Sequence, residues 1–182
     1  MNFLKSFFEF SWDIAKTAAV ALILAGLVRY FIVQPFFVEG ASMEPNFENG
    51  EYLLIDEISY YFQNIERDEV VVFHYPLDTS KYYIKRVVGL PGETIEIKSG
   101  KVNIYNSAHP EGFAVNETYL GGNSKTDGDI KKKLGGDEYF VLGDNRAVSS
   151  DSRRWGVLPK SDIVGRVWLR AWPIGKAAIF SY

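Results

Sequence analysis

The feature that most restricts this chain is a change of rhythm near residue 38. Beyond it, apolar residues come in short runs of strand length, cut apart by turn residues. Asn49-Gly50 is a hairpin signal and leads into EYLLIDEIS. DEVVVFHY reads as a continuous buried strand, KYYIKRVV and ETIEIK are joined by LPG, and SGK leads into KVNIY. With EYFVLG and DIVGRVWLRAW the set comes to about six to eight strands. No helical pattern alternates with them, so the spacing predicts an all-β domain, an antiparallel sheet or barrel-like fold. Residues 107–137 are rich in Gly and Lys with little periodicity. They read as the body of a peripheral insertion at about 99–137, with Lys131 to Lys133 in a solvated loop.

Ahead of the strands, TAAVALILAGLV gives twelve uncharged residues between Lys16 and Arg29. That is too short to cross a bilayer, which takes about 20. If Arg29 snorkels, the apolar stretch continues through YFIVQPFFV to Val38 and becomes long enough. A cleavable signal peptide is the competing reading, but Glu39 would then sit three residues before the cut after Ala41. The expected organisation is a tail at 1–13, a transmembrane helix at 14–35 and a β-rich domain at 36–182. Lys5 and Lys16 are offset by Glu9 and Asp13, so charge alone does not orient the span.

Composition narrows the chemistry. A net charge of −3 with both signs interspersed lacks the basic stripe of a nucleic-acid partner. Without cysteine there is no disulfide, thiolate or Cys-based metal site, and His74 and His109 alone make a poor metal set. No metal or other cofactor is expected. Asn116-Glu117-Thr118 is a glycosylation sequon, of consequence only in a eukaryotic secretory setting.

Three segments could carry chemistry. In EGASMEP, Ser42 is either a plain loop serine or a nucleophile whose small neighbours let another backbone approach. In YYIKRVV, Tyr83, Lys85 and Val87 share one strand face, and Tyr82, Ile84, Arg86 and Val88 the other. Lys85 is either an edge lysine or an amine desolvated enough to lose its proton near neutrality. Arg86 could not serve that way, because a guanidinium stays charged. GDNRAVSSDSRRWG packs Asp144, Arg146, Asp151, Arg153 and Arg154 against apolar Val141-Leu142 and Trp155, and predicts a folded polar network rather than a solvated loop. A hydroxyl of Ser149 or Ser152 could orient a group there.

Taken in order behind an apolar N-terminus, these segments resemble the type I signal peptidases of bacteria, membrane-bound serine/lysine endopeptidases. Ser42-Met43-x-Pro45 is similar to the family's nucleophile box, and Gly50-Glu51-Tyr52-Leu53-Leu54 to its next. RDEVVVFHYP resembles the third, Tyr83-Ile84-Lys85-Arg86-Val87 with GLPGE the lysine box, and Gly143 to Arg153 the GDNRxxSxDSR line. Only about 99–137 lacks counterparts.

The resemblance implies that Ser42 is the nucleophile and Lys85 the neutral general base. It implies that the Ser42 N–H joins the oxyanion hole, that Ser149 orients the lysine, and that Asp144, Asp151 and Arg153 are structural support. Some members carry a serine two residues before the nucleophile, where this chain has Gly40. Phe36, Val38, Met43, Phe47, Tyr83 and Ile84 would line substrate pockets or pack in the core. The implied substrates are preprotein signal peptides ending in small residues of the Ala-x-Ala type. The lipid bilayer is the other implied partner: a bacterial cell membrane, N-terminus in the cytoplasm and catalytic domain on the outer face. A tethered β-domain that binds peptides without cutting them, and a self-cleaving Ser/Lys repressor-type protease, are the alternatives.

Overall fold

A computed structural model describes residues 2–31, 33–121 and 125–182. The chain opens with helix α1 (Asn2–Phe31). Strands follow as β1 (Val33–Phe37), β2 (Tyr52–Asp56), β3 (Val70–Tyr75), β4 (Asp78–Gly89), β5 (Thr94–Lys98) and β6 (Lys101–Tyr105). After them come β7 (Phe113–Ala114), β8 (Ile130–Lys133), β9 (Glu138–Leu142), a single turn of helix α2 (Ser152–Trp155), β10 (Leu158–Pro159), β11 (Ile163–Trp172) and β12 (Ala178–Ile179). All pairings are antiparallel.

The helix ends four residues before the end of the expected span at 14–35, and residues 33–37 form an edge strand instead. Pro35 explains the break: it disfavours helix at Gln34 and lacks an N–H, which an edge strand tolerates. Among the described residues no helix is long and apolar enough to cross a membrane.

The large sheet runs β1-β2-β11-β3-β4-β9-β10, with β12 added to β11. Its ladder is open among the described residues, yet it curls until edge strand β1 meets β4, where the Phe36 and Tyr82 rings lie edge to face at 5.2 Å. Closure is incomplete, so the barrel-like expectation becomes a coiled sheet with a slot. A second sheet, β7-β6-β5-β8, packs against it. Two expectations change here. Lys131 to Lys133 lie in β8, paired to β5, with their side chains exposed. The expected insertion is largely this small sheet, and its apolar face helps build a core.

Strand alternation partitions that core. On β3, Val70 and Val72 point into a cluster with Met43 and Phe47, while Val71 and Phe73 join Val87 and Val141 on the other side. On β9, Tyr139 and Val141 face this second cluster, and Phe140 and Leu142 face a third between the sheets with Ile95 and Ile104. Interior strands buried on both faces read as continuous apolar runs, as VVVF and YFVL do. Gly165 permits the β11 crossing: a Cβ there would stand 2.5 Å from Asp56 O, at a register shift between β11 and β3. Leu142, fully buried between the sheets, gives a test of this packing. Leu142→Ala is expected to lower unfolding free energy by about 2–5 kcal/mol in denaturant titration.

Candidate active site

The turn bearing Ser42 closes the top of the β1–β2 hairpin. Val38 N donates to Glu51 O at 2.9 Å and Gly50 N to Val38 O at 2.8 Å, so pairing continues past the strands before the chain loops out. Gly40 bends that loop at φ +86°, a conformation side-chain-bearing residues rarely adopt, and its N–H is bound by Asn49 Oδ1 at 2.8 Å. Met43 and Phe47, each 1% exposed, sink the turn into the core and leave Ser42 facing the slot. Underneath, Arg170 Nη1 donates to the buried Glu51 carboxylate at 2.7 Å and to Asn46 O at 3.2 Å.

Strand β4 brings the second group. Its C-terminal half is interior, paired with β3 on one side and from Arg86 onward with β9 on the other. Lys85 is consequently 3% exposed. Its Nζ lies 2.8 Å from Ser42 Oγ and 2.7 Å from Ile84 O, with the Tyr83 ring centroid at 5.3 Å. Burial pushes the ammonium down to about 8, against the opposing pull of the Asp151 and Asp144 carboxylates.

Both carboxylates are held by guanidiniums. Asp144 accepts from Arg86 Nε at 2.8 Å and Nη2 at 2.6 Å, and from Asn46 Nδ2 at 2.8 Å. Asp151 caps α2, accepting from Arg153 N at 3.2 Å and Nε at 2.8 Å, and from Gly143 N at 3.1 Å. Burial alone would raise the Asp151 pKa, but Arg153 and the Gly143 N–H outweigh it and hold the carboxyl below its ordinary value. Gly143 lies where the turns meet: a Cβ on it would overlap Ser149 Oγ and stand 2.5 Å from Ser42 O. Asn145 N donates to that same Ser42 carbonyl at 3.0 Å.

Above the pair opens a cleft of ≈ 860 Å³. Its walls include Phe36, Val38, Tyr82, Ile84, Leu53 and Val72, with Ser42 and Lys85 among its lining residues. Two strand edges unpaired among the described residues flank it: there β1 pairs only with β2, and β4 before Arg86 only with β3.

A serine hydroxyl within bonding distance of a buried amine, beside an apolar slot, suits acyl transfer from an extended peptide. The family model described as "Signal peptidase, peptidase S26" matches residues 11–172. The chain belongs to that signal peptidase family. It is 38% identical over 165 residues to a signal peptidase I of Bacillus amyloliquefaciens, covering 85% of this chain and 81% of that protein. To a probable signal peptidase I-2 of Synechocystis it is 34% identical over 181 residues, covering 95% and 79%. A signal peptidase I crystal structure from Enterococcus faecalis aligns with 58% of this chain and 97% of that one, at 27% identity and a TM-score of 0.49. As a member of the signal peptidase family, the chain is a serine endopeptidase.

Of the residues singled out in the sequence, Ser42, Lys85, Phe36, Val38, Tyr83 and Ile84 converge on the cleft. Met43 and Phe47 do not line it; helical spacing in the turn points both inward, where they anchor rather than contact a ligand. Ser149, 1% exposed, lies beside Gly143 and near enough to Asp151 to favour its ionised form. Its Oγ makes no full hydrogen bond to any described residue, Lys85 included. Sequence reasoning missed Tyr82, Leu53 and Val72 as walls, and, although it placed Arg146 in the polar network, missed what that residue binds. That buried guanidinium donates to Gly143 O, Glu117, Thr126 and Tyr119, tying the insertion to the site.

Two outcomes are expected. Gly143→Ala forces a methyl against Ser42 O and costs about 1–3 kcal/mol of stability in thermal unfolding. Lys85 binds its proton less tightly folded than unfolded, so its burial penalty is full below pH 8 and fades as pH rises towards the free-lysine value of about 10.4. Lys85→Met should therefore be more stable than the parent at pH 7. Urea titrations should show the gap about 2 kcal/mol narrower at pH 10.

Proposed function

We propose that this chain removes N-terminal signal peptides from exported preproteins, with Ser42 as nucleophile and Lys85 as general base. The observation that carries the proposal is the 2.8 Å separation of Ser42 Oγ and Lys85 Nζ in a buried setting. An amine with a pKa of about 8 is roughly one-tenth neutral at pH 7, and bound substrate displaces further water. The neutral amine takes the hydroxyl proton as Oγ attacks the scissile carbonyl. The resulting ammonium returns that proton to the leaving amine, which departs as the N-terminus of the mature protein. Water, deprotonated by the same lysine, then hydrolyses the acyl-enzyme and frees the signal peptide. The Ser42 N–H, unbonded among the described residues, is the oxyanion donor. The left-handed conformation at Gly40 accounts for glycine rather than serine there, since a side chain would be strained.

The peptide would add as a strand between the free edges of β1 and β4, with alternate side chains directed into the slot. Phe36, Tyr82 and Ile84 narrow it, which favours alanine-sized residues at P1 and P3 and excludes leucine by overlap. Ser149 would orient Lys85 by turning its buried, unbonded hydroxyl to the amine, and Asp144, Asp151 and Arg153 brace the floor. The membrane reading belongs here too, with residues 1–13 cytoplasmic, the helical part of the expected 14–35 span, up to Phe31, as the anchor, and the β-rich domain that begins with β1 on the outer face of a bacterial cell membrane. Its support is the row of open apolar side chains on α1, among them Trp12, Val20, Leu22 and Ile23, with Trp168 and Trp172 exposed on the domain.

The test is purified, detergent-solubilised protein mixed with a preprotein, with products identified by mass. Cleavage after a small residue is expected, with kcat/KM rising as pH passes through about 8 because the neutral amine is the active form. Ser42→Ala and Lys85→Arg should each lose about 1000-fold or more. Undiminished cutting by folded Ser42→Ala, or efficient cutting after leucine, would overturn the reading. Specific peptide binding without any cleavage would favour the tethered binding domain instead.

A further inference from the structure

Apolar burial sets how deep the Ser42 turn sits but not its angle, because the hydrophobic effect is non-directional. Met43 and Phe47 supply the depth. Direction must come from hydrogen bonds, and beyond the Asn145 N–H these converge on Asn46. Its Nδ2 donates one hydrogen to Asp144 Oδ2 and the other to Tyr119 O, each at 2.8 Å. Both partners are acceptors only, so the amide has a single satisfactory orientation. Its backbone carbonyl meanwhile accepts from Arg170. Asp144 is the carboxylate gripped by Arg86, the neighbour of Lys85, and the Tyr119 ring faces that guanidinium at 4.1 Å. One side chain thus joins the turn bearing Ser42, the GDN turn and the insertion, and through them the strand bearing Lys85.

We propose that Asn46 is a positioning residue for cleavage, its amide fixing the angle at which Ser42 Oγ meets Lys85 Nζ. The inference rests on the Ser42–Lys85 reading above. Asn46 is not among the residues that line the cleft, so its removal should leave peptide binding intact. A misplacement of about 1 Å between reacting groups costs on the order of 100-fold in rate.

The experiment is steady-state cleavage of a preprotein by full-length variants in detergent, below their unfolding temperatures, with the folded fraction read by circular dichroism. Asn46→Asp keeps the size but sets a carboxylate against Asp144 and the Tyr119 carbonyl. Expected is a fall in kcat of about 10- to 100-fold with KM within about threefold of the parent. Asn46→Ser, with one hydroxyl donor, should recover part of the loss, and it decides the matter if Asn46→Asp does not fold. A purely structural residue would lower the unfolding temperature while leaving kcat per folded molecule unchanged. Folded variants with kcat within about twofold of the parent, or a loss residing in KM, sink the inference. If those variants are normal while Ser42→Ala is dead, only the inference falls. If Ser42→Ala still cleaves, the reading beneath it falls first.

Discussion

Everything in this domain turns on keeping the Lys85 ammonium out of water while the two carboxylates nearest it are bound to guanidiniums. Desolvation lowers its proton affinity, and the nearby carboxylates of Asp151 and Asp144 raise it. Left unpaired, those two would favour the ammonium more strongly. Arg86 and Arg153 bind them through paired N–H groups, setting a cation against each carboxylate. Burial then prevails, and the amine settles at about 8. The polar floor is therefore an electrostatic device as well as a scaffold.

The same floor explains why glycine stands at the junction of the turns. Ser42 O, Ser149 and the Asp151 carboxylate all crowd Gly143, and only a residue without Cβ lets the three meet. Backbone contacts at this point, such as Asn145 N to Ser42 O, make the turn bearing Ser42 an extension of the network around Asp144. Rigidity here is inherited from fixed main-chain geometry, which side-chain entropy erodes less than it would a chain of long flexible residues.

Much of this was legible in the sequence, and the exceptions share causes. VVVFHY, TIEIK, KVNIY and EYFVL announced themselves because turn residues bound each run and β-branched side chains fill it. The strand at Lys131–Lys133 was hidden because its side chains are solvated and only its backbone pairs, leaving no apolar period to read. Lys85 could be placed on a strand but not inside or outside, since its burial depends on β9 and the Ser42 turn closing over it from afar. Glu117, Tyr119 and Thr126 gave no signal, for they act by single polar contacts to Arg146, and point contacts carry no periodicity. The helix end was readable in principle: Pro35 marks it, but a long apolar stretch masks the marker.

The two adjacent cations of β4 now have distinct tasks that follow from strand geometry. Successive side chains point to opposite faces, so the strand delivers Lys85 to the cleft and Arg86 to the floor in one step. A one-residue slip in register would exchange them, placing a permanently charged guanidinium beside Ser42 and an amine against Asp144. Neither group could do the other's work. The pairing of Val71 with Lys85 and of Leu142 with Arg86 fixes that register from both sides of the strand. Fully buried Val87 and Val88 add an apolar penalty to any slip, because each belongs to a different core cluster. The position of the base is thus specified by hydrophobic partition several residues away from it.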